Sequence, residues 1–159
     1  MNPEVIRSEQ DWMMTFHPSE SRANALVISF NEMGGDKTET GFGSEFLKKN
    51  GYDHIFVADR KGTFYQGLAW QDFKESVEPI SSRYERVVTY GASLGGYCAL
   101  YYAGAVNATA LALAPRLPPH PYCIELINIE QEIRAVRIEH VDLAGITRSD
   151  KTPIVVYDP

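Results

Sequence analysis

The sequence is poor in cysteine and carries no excess of positive charge. Only Cys98 and Cys123 occur in 159 residues. Neither belongs to a C-x-x-C pair or a Cys/His cluster, which argues against a structural zinc site; no metal or cofactor is expected. Lysine and arginine number 15 against 21 aspartates and glutamates, for a net charge of -6. Without a basic stripe, neither nucleic acid nor an anionic membrane surface is an expected partner. The opening stretch "MNPEVIRSEQDWMMTF" lacks a basic start followed by an apolar core, and no run is long enough to cross a bilayer. The expectation is therefore a chain without signal peptide or membrane span, cytoplasmic by default. Repeats and low-complexity segments are also missing. What remains is 44% hydrophobic and 23% charged, the balance of a globular chain, read as a single domain over 1–159.

Short apolar runs punctuate that chain. "NALVISF" (Asn24–Phe30), "DHIFVADR" (Asp53–Arg60), "RVVTYGA" (Arg86–Ala92), "ATALALAP" (Ala108–Pro115) and "TPIVVYDP" (Thr152–Pro159) each predict a strand. They are nearly continuous in apolar character rather than alternating, as in parallel strands buried on both faces. "WMMTFH" predicts a small extra strand nearer the N-terminus.

The segments between the runs suit crossover helices. Ser44 is placed to cap a helix through "EFLKKN" that stops at Gly51, with lysines in its last turn. Phe73, Val77, Ile80 and Tyr84 recur at helical spacing between Ala69 and Tyr84, and Pro79 predicts a kink or break. Leu94–Ala103 predicts a third helix, with Cys98 as a small core residue. Strand and helix alternation gives an α/β fold: a mainly parallel, doubly wound sheet with helices on both faces. Residues 116–151 open with the proline-rich "RLPPHPY" and fit a lid or helical excursion over the sheet edge.

Chemistry concentrates at "VVTYGASLGGYCALYYAG". Gly91-Ala92-Ser93-Leu94-Gly95 is G-x-S-x-G between a predicted strand and a predicted helix. Such a turn forces the serine into a sparsely allowed conformation with its hydroxyl exposed, and the glycines relieve crowding between strand and helix. The Leu94 N–H, at the helix start, is placed to donate to a developing oxyanion. A second backbone donor is expected from Asn31, Glu32 or Met33, in the loop after "LVISF". Gly34 and Gly35 would allow close approach of a substrate. Tyr65 and Gln66, in "RKGTFYQG", are candidate substrate contacts.

The set "LVISFNEMGG", "VVTYGASLGGYCALYYAG" and "PIVVYDP" resembles the α/β-hydrolase superfamily. "GFGSEFLKKNGYDHIFVADRKGTFYQG" followed by the serine turn is similar to hydrolase-like domains of bacterial proteins found near surface-glycan biosynthesis. The resemblance implies Ser93 as nucleophile and Asp158, at the end of "IVVYD", as the acid of a triad. It also implies a histidine after one further strand, whereas the sequence stops at Pro159; the core is read as truncated, with its base supplied from beyond Pro159 or by another chain. Among His17, His54, His120 and His140, His120 in "PPHPY" is the substitute best placed to reach the site. Two functions follow: a serine hydrolase of the esterase type acting on a small-molecule or glycan ester, or a catalytically silent module binding a glycan or a protein. An open sheet edge at "PIVVY" suggests a homodimer.

Overall fold

The computed structural model describes residues 2–21, 24–32, 40–116, 137–140 and 142–157. Its strands are β1 (Glu4–Ser8), β2 (Trp12–His17), β3 (Ala25–Phe30), β4 (Asp53–Asp59), β5 (Arg86–Ala92), β6 (Thr109–Leu113) and β7 (Ile154–Val156). They form one seven-stranded sheet in the order β1-β2-β4-β3-β5-β6-β7. The stretch from β4 to β7 is parallel throughout. The β1–β2 hairpin joins it antiparallel, through β2 on β4. Among the described residues three α-helices connect the parallel strands: α1 (Ser44–Lys49), α2 (Trp70–Ser81) and α3 (Leu94–Tyr102).

The apolar runs are explained by their positions. Every residue of β3 is buried, as is every residue of β4 after Asp53, because helices cover both faces of the central strands. Thr89 and Tyr90 point to opposite faces of β5. The Thr89 hydroxyl donates to the Ala99 carbonyl of α3 at 2.7 Å, whereas the Tyr90 ring lies against Gly43 and Phe42, at the start of α1. So α1 and α3 cover opposite faces. Phe30, Phe73 of α2 and Tyr102 of α3 stack with centroids 4.5–5.9 Å apart, which puts α2 on the α3 side. Burying each such ring contributes roughly 1.5–3 kcal/mol.

One local expectation is corrected and two details are added. Ser44 is not the cap of α1: Gly43 holds that position with φ 79°, in the left-handed region that favours glycine. Ser44 instead starts the helix with its hydroxyl accepting from the Gly41 N–H at 3.1 Å. Pro79 lies inside α2, which continues to Ser81. A strand at Glu4–Ser8 was not expected, because "EVIRS" is largely exposed and has no apolar stripe. Among the described residues no helix is long and apolar enough to cross a membrane.

Candidate active site

The order of strands reverses at β3, which lies between β4 and β5. Ligands of open α/β sheets collect at such a switch point, beyond the carboxyl ends of the strands. Ser93 directly follows β5 at that edge. Its backbone has φ 53° and ψ -118°, outside the regions ordinary residues populate. Three backbone hydrogen bonds hold it there. Its N–H donates to the Leu113 carbonyl at 2.9 Å, and its carbonyl accepts from Tyr97 at 3.1 Å and Arg116 at 3.0 Å.

Both glycines of the motif are required by contact. A Cβ on Gly91 would lie 2.3 Å from the carbonyl group of Gly95. One on Gly95 would lie 2.6 Å from the Phe30 oxygen and 2.9 Å from that of Asn31. The helix therefore starts hard against the end of β3. Ser93 is half-buried, and among the described residues its hydroxyl has no hydrogen-bond partner. No side chain caps α3, so the Leu94 N–H stands at the positive end of the helix without a side-chain acceptor. A strained serine beside a free first-turn amide is an arrangement able to present an oxygen nucleophile and a donor to one carbonyl. The nearby Cys98 offers no substitute nucleophile: it is buried, and burial raises its thiol pKa well above the ordinary value.

Other residues singled out from the sequence are placed differently. The Asn31 N–H donates to the Tyr65 hydroxyl at 2.8 Å, so this amide is already committed. The Tyr65 hydroxyl in turn donates to the Val57 carbonyl at 2.9 Å. Tyr65 is a fully buried strut between the ends of β3 and β4, not a surface contact for substrate, and burial raises its pKa. Gln66 is also buried, and its Oε1 accepts from the N–H groups of Glu139 and His140 at 2.9 and 2.8 Å. Asp59 ties the loop between them, accepting from Lys61, Thr63 and Tyr65. Glu32 is exposed next to Asn31. Met33, Gly34, Gly35, His120 and Asp158 lie outside the described residues.

The histidine that sequence reasoning passed over is His140. It stacks on Tyr101 with ring centroids 4.2 Å apart. Its Nδ1 is 3.1 Å from the Tyr97 hydroxyl. Its Nε2 is 3.0 Å from the Tyr102 hydroxyl and 3.1 Å from the Leu68 carbonyl. Because a carbonyl only accepts, Nε2 carries the proton and Nδ1 accepts from Tyr97. Burial lowers the His140 pKa to about 4, so the ring is neutral. It pins the returning chain to α3, and both its nitrogens are used. No local sequence signal marks this cage, since its members come together only in the folded chain.

No family model and no curated protein matches the chain. Solved structures do. The class they define with this sheet is the α/β-hydrolase fold. The chain is similar to part of a glycosylation-associated protein complex from Streptococcus agalactiae, with 16% identity and a TM-score of 0.66 over 89% of this chain and 31% of that one. It also resembles acetyl xylan esterase 1 from Thermoanaerobacterium sp., with 14% identity and a TM-score of 0.54 over 77% of this chain and 50% of that one. A soluble variant of monoglyceride lipase from Saccharomyces cerevisiae matches with 19% identity and a TM-score of 0.54, over 85% of this chain and 50% of that one. The chain thus spans half or less of the length of these structures.

Proposed function

We propose that the chain is a serine hydrolase of the esterase type, acting on a small-molecule or glycan acyl ester. The observation that carries this reading is the forced backbone of Ser93, with φ 53° at the carboxyl edge of the sheet. Ser93 Oγ attacks the ester carbonyl as a base removes its proton, and the carbonyl electrons move onto the oxygen. The Leu94 N–H, with Glu32 or Met33 as second donor, holds that oxyanion. Its collapse expels the alcohol, and water then releases the acyl group from the serine. Asp158 orients the base, for which His120 is this chain's candidate, and Gly34 and Gly35 admit the substrate. The solved structures named as an esterase, a lipase and a glycosylation-associated complex support an ester and a glycan setting. A fluorophosphonate probe tests the reading: wild type is labelled, and Ser93→Ala is not.

A second reading, a silent module that binds a glycan or a protein partner, is favoured by one observation. His54 and His140 are both buried and hydrogen-bonded to groups other than Ser93. Removing the base from such a site costs several orders of magnitude in rate. The partner is neither nucleic acid nor membrane, given the acidic balance of the chain.

The same reading includes a homodimer through β7. Ile154, Val155, Val156 and Tyr157 are 42–70% exposed along this edge. The opposite edge strand, β1, is guarded by a register shift between Val5 and Arg7 and by ion pairs of Arg7 with Glu9 and Asp72. Bulges and charges block edge pairing, and an unguarded apolar edge invites it. Light scattering of Val155→Lys tests this: wild type runs as a dimer and the variant as a monomer.

A further inference from the structure

We infer that Ala114, in the loop leaving β6, is a positioning residue for Ser93: its left-handed backbone closes residues 113–116 into a clamp on the main chain of the serine. Its chemical role rests on the hydrolase reading proposed above, whereas the clamp itself is backbone geometry.

Ala114 stands at φ 41°. Two local rules oppose that value. An L side chain is disfavoured at positive φ, and the residue before a proline, here Pro115, is biased toward extended backbone. Ala114 is exposed, so burial of its methyl group does not impose the conformation. Hydrogen bonds do. The Leu113 carbonyl accepts from the Ser93 N–H at 2.9 Å, and the Arg116 N–H donates to the Ser93 carbonyl at 3.0 Å. Both main-chain polar groups of one residue are thus bonded to a stretch of four. That stretch must turn back on itself, and Ala114 carries its only positive φ.

The donors of the loop are fully allotted. The Ala114 N–H donates to the Val156 carbonyl of β7 at 2.6 Å, Pro115 has no N–H, and Arg116 supplies the next one. The loop is also seated on α3. A Cβ on Gly96 would lie 3.1 Å from the Leu113 oxygen and from Pro115 Cα, a tight contact that glycine avoids. Gly96, outside the G-x-S-x-G pattern, is accounted for in this way.

Ser93 and Ala114 are therefore two strained residues joined through one pair of hydrogen bonds. Non-glycine residues persist in such conformations only where the surroundings over-determine them, and they gather at functional sites. Ser93 Oγ is one rotatable bond away from the main chain that the clamp fixes, so a loosened clamp displaces the oxygen.

The test compares Ala114→Val and Ala114→Gly with wild type. Valine is β-branched and resists positive φ, glycine adopts it freely, and neither change alters a buried side chain. NMR hydrogen exchange reports the Ser93 and Arg116 amides. Fluorophosphonate kinetics separate the maximal labelling rate of Ser93 from the half-saturating probe concentration. Ala114→Val is expected to speed exchange of both amides about tenfold and to lower the maximal labelling rate about tenfold, with half-saturation unchanged. Ala114→Gly keeps the wild-type labelling rate. A role in stability alone would lower the melting temperature of Ala114→Val and leave its labelling rate as in wild type. Equal labelling of Ala114→Val and wild type, or equal exchange of the two amides, overturns the assignment of Ala114. An unlabelled wild type removes the hydrolase reading instead, and the amide exchange still decides whether the clamp exists.

Discussion

Two serines of this molecule divide between them what one catalytic serine needs. Ser93, at the carboxyl edge, has the strained backbone and an adjacent helix-start amide, but no imidazole touches it among the described residues. Ser44, toward the other edge, has an imidazole 3.3 Å from its hydroxyl. It lies in ordinary helical structure, fully buried, with its oxygen already accepting from Gly41. A histidine beside a serine is therefore not enough to define a nucleophile. On the proposed reading it is the strained turn, not a neighbouring imidazole, that distinguishes Ser93.

Acid produces the largest expected effect, and it acts where the histidines are packed. His54 and His140 have pKa values lowered to about 4, below the unfolded value. The unfolded chain binds protons that the folded chain refuses, so stability is full above about pH 6.5 and falls as pH drops toward 4. Each histidine contributes on the order of 3 kcal/mol to that loss. Urea denaturation between pH 7 and pH 4 checks it, and His140→Gln flattens the slope.

Gly95→Ala comes next and breaks the Ser93 side of the comparison. The added Cβ meets the backbone oxygens of Phe30 and Asn31, which cannot swing aside. A loss of about 2–3 kcal/mol follows, seen as a lower midpoint in thermal melting.

The smallest effects separate the serines by sign. Ser44→Ala removes the acceptor of the Gly41 N–H and the His54 contact, and lowers stability by about 1 kcal/mol. Ser93→Gly relieves a positive φ and raises it by about 0.5 kcal/mol, after the entropic cost of glycine is subtracted. Paired denaturation curves read both, and equal losses would mean that the elbow stores no strain.

The elbow was legible because it is local: five consecutive residues specify a turn wherever a strand precedes and a helix follows. The central strands were legible because burial on both faces leaves continuous apolar runs. Edges and struts were not. β1 escaped because an edge strand in water needs no apolar pattern. Tyr65 and Gln66 looked like ligand contacts because their types are common in sites, whereas burial converts them into supports for Asn31 and for the chain at His140. The cap of α1 was misassigned because serine prefers caps, yet a left-handed residue was needed there and Gly43 supplies it.

The most direct measurement is mass mapping of the folded chain after treatment with a fluorophosphonate. The account predicts one adduct, on the peptide bearing Ser93, that disappears in Ser93→Ala and survives in Ser44→Ala. An unlabelled folded chain, or an adduct on any other residue, would contradict it.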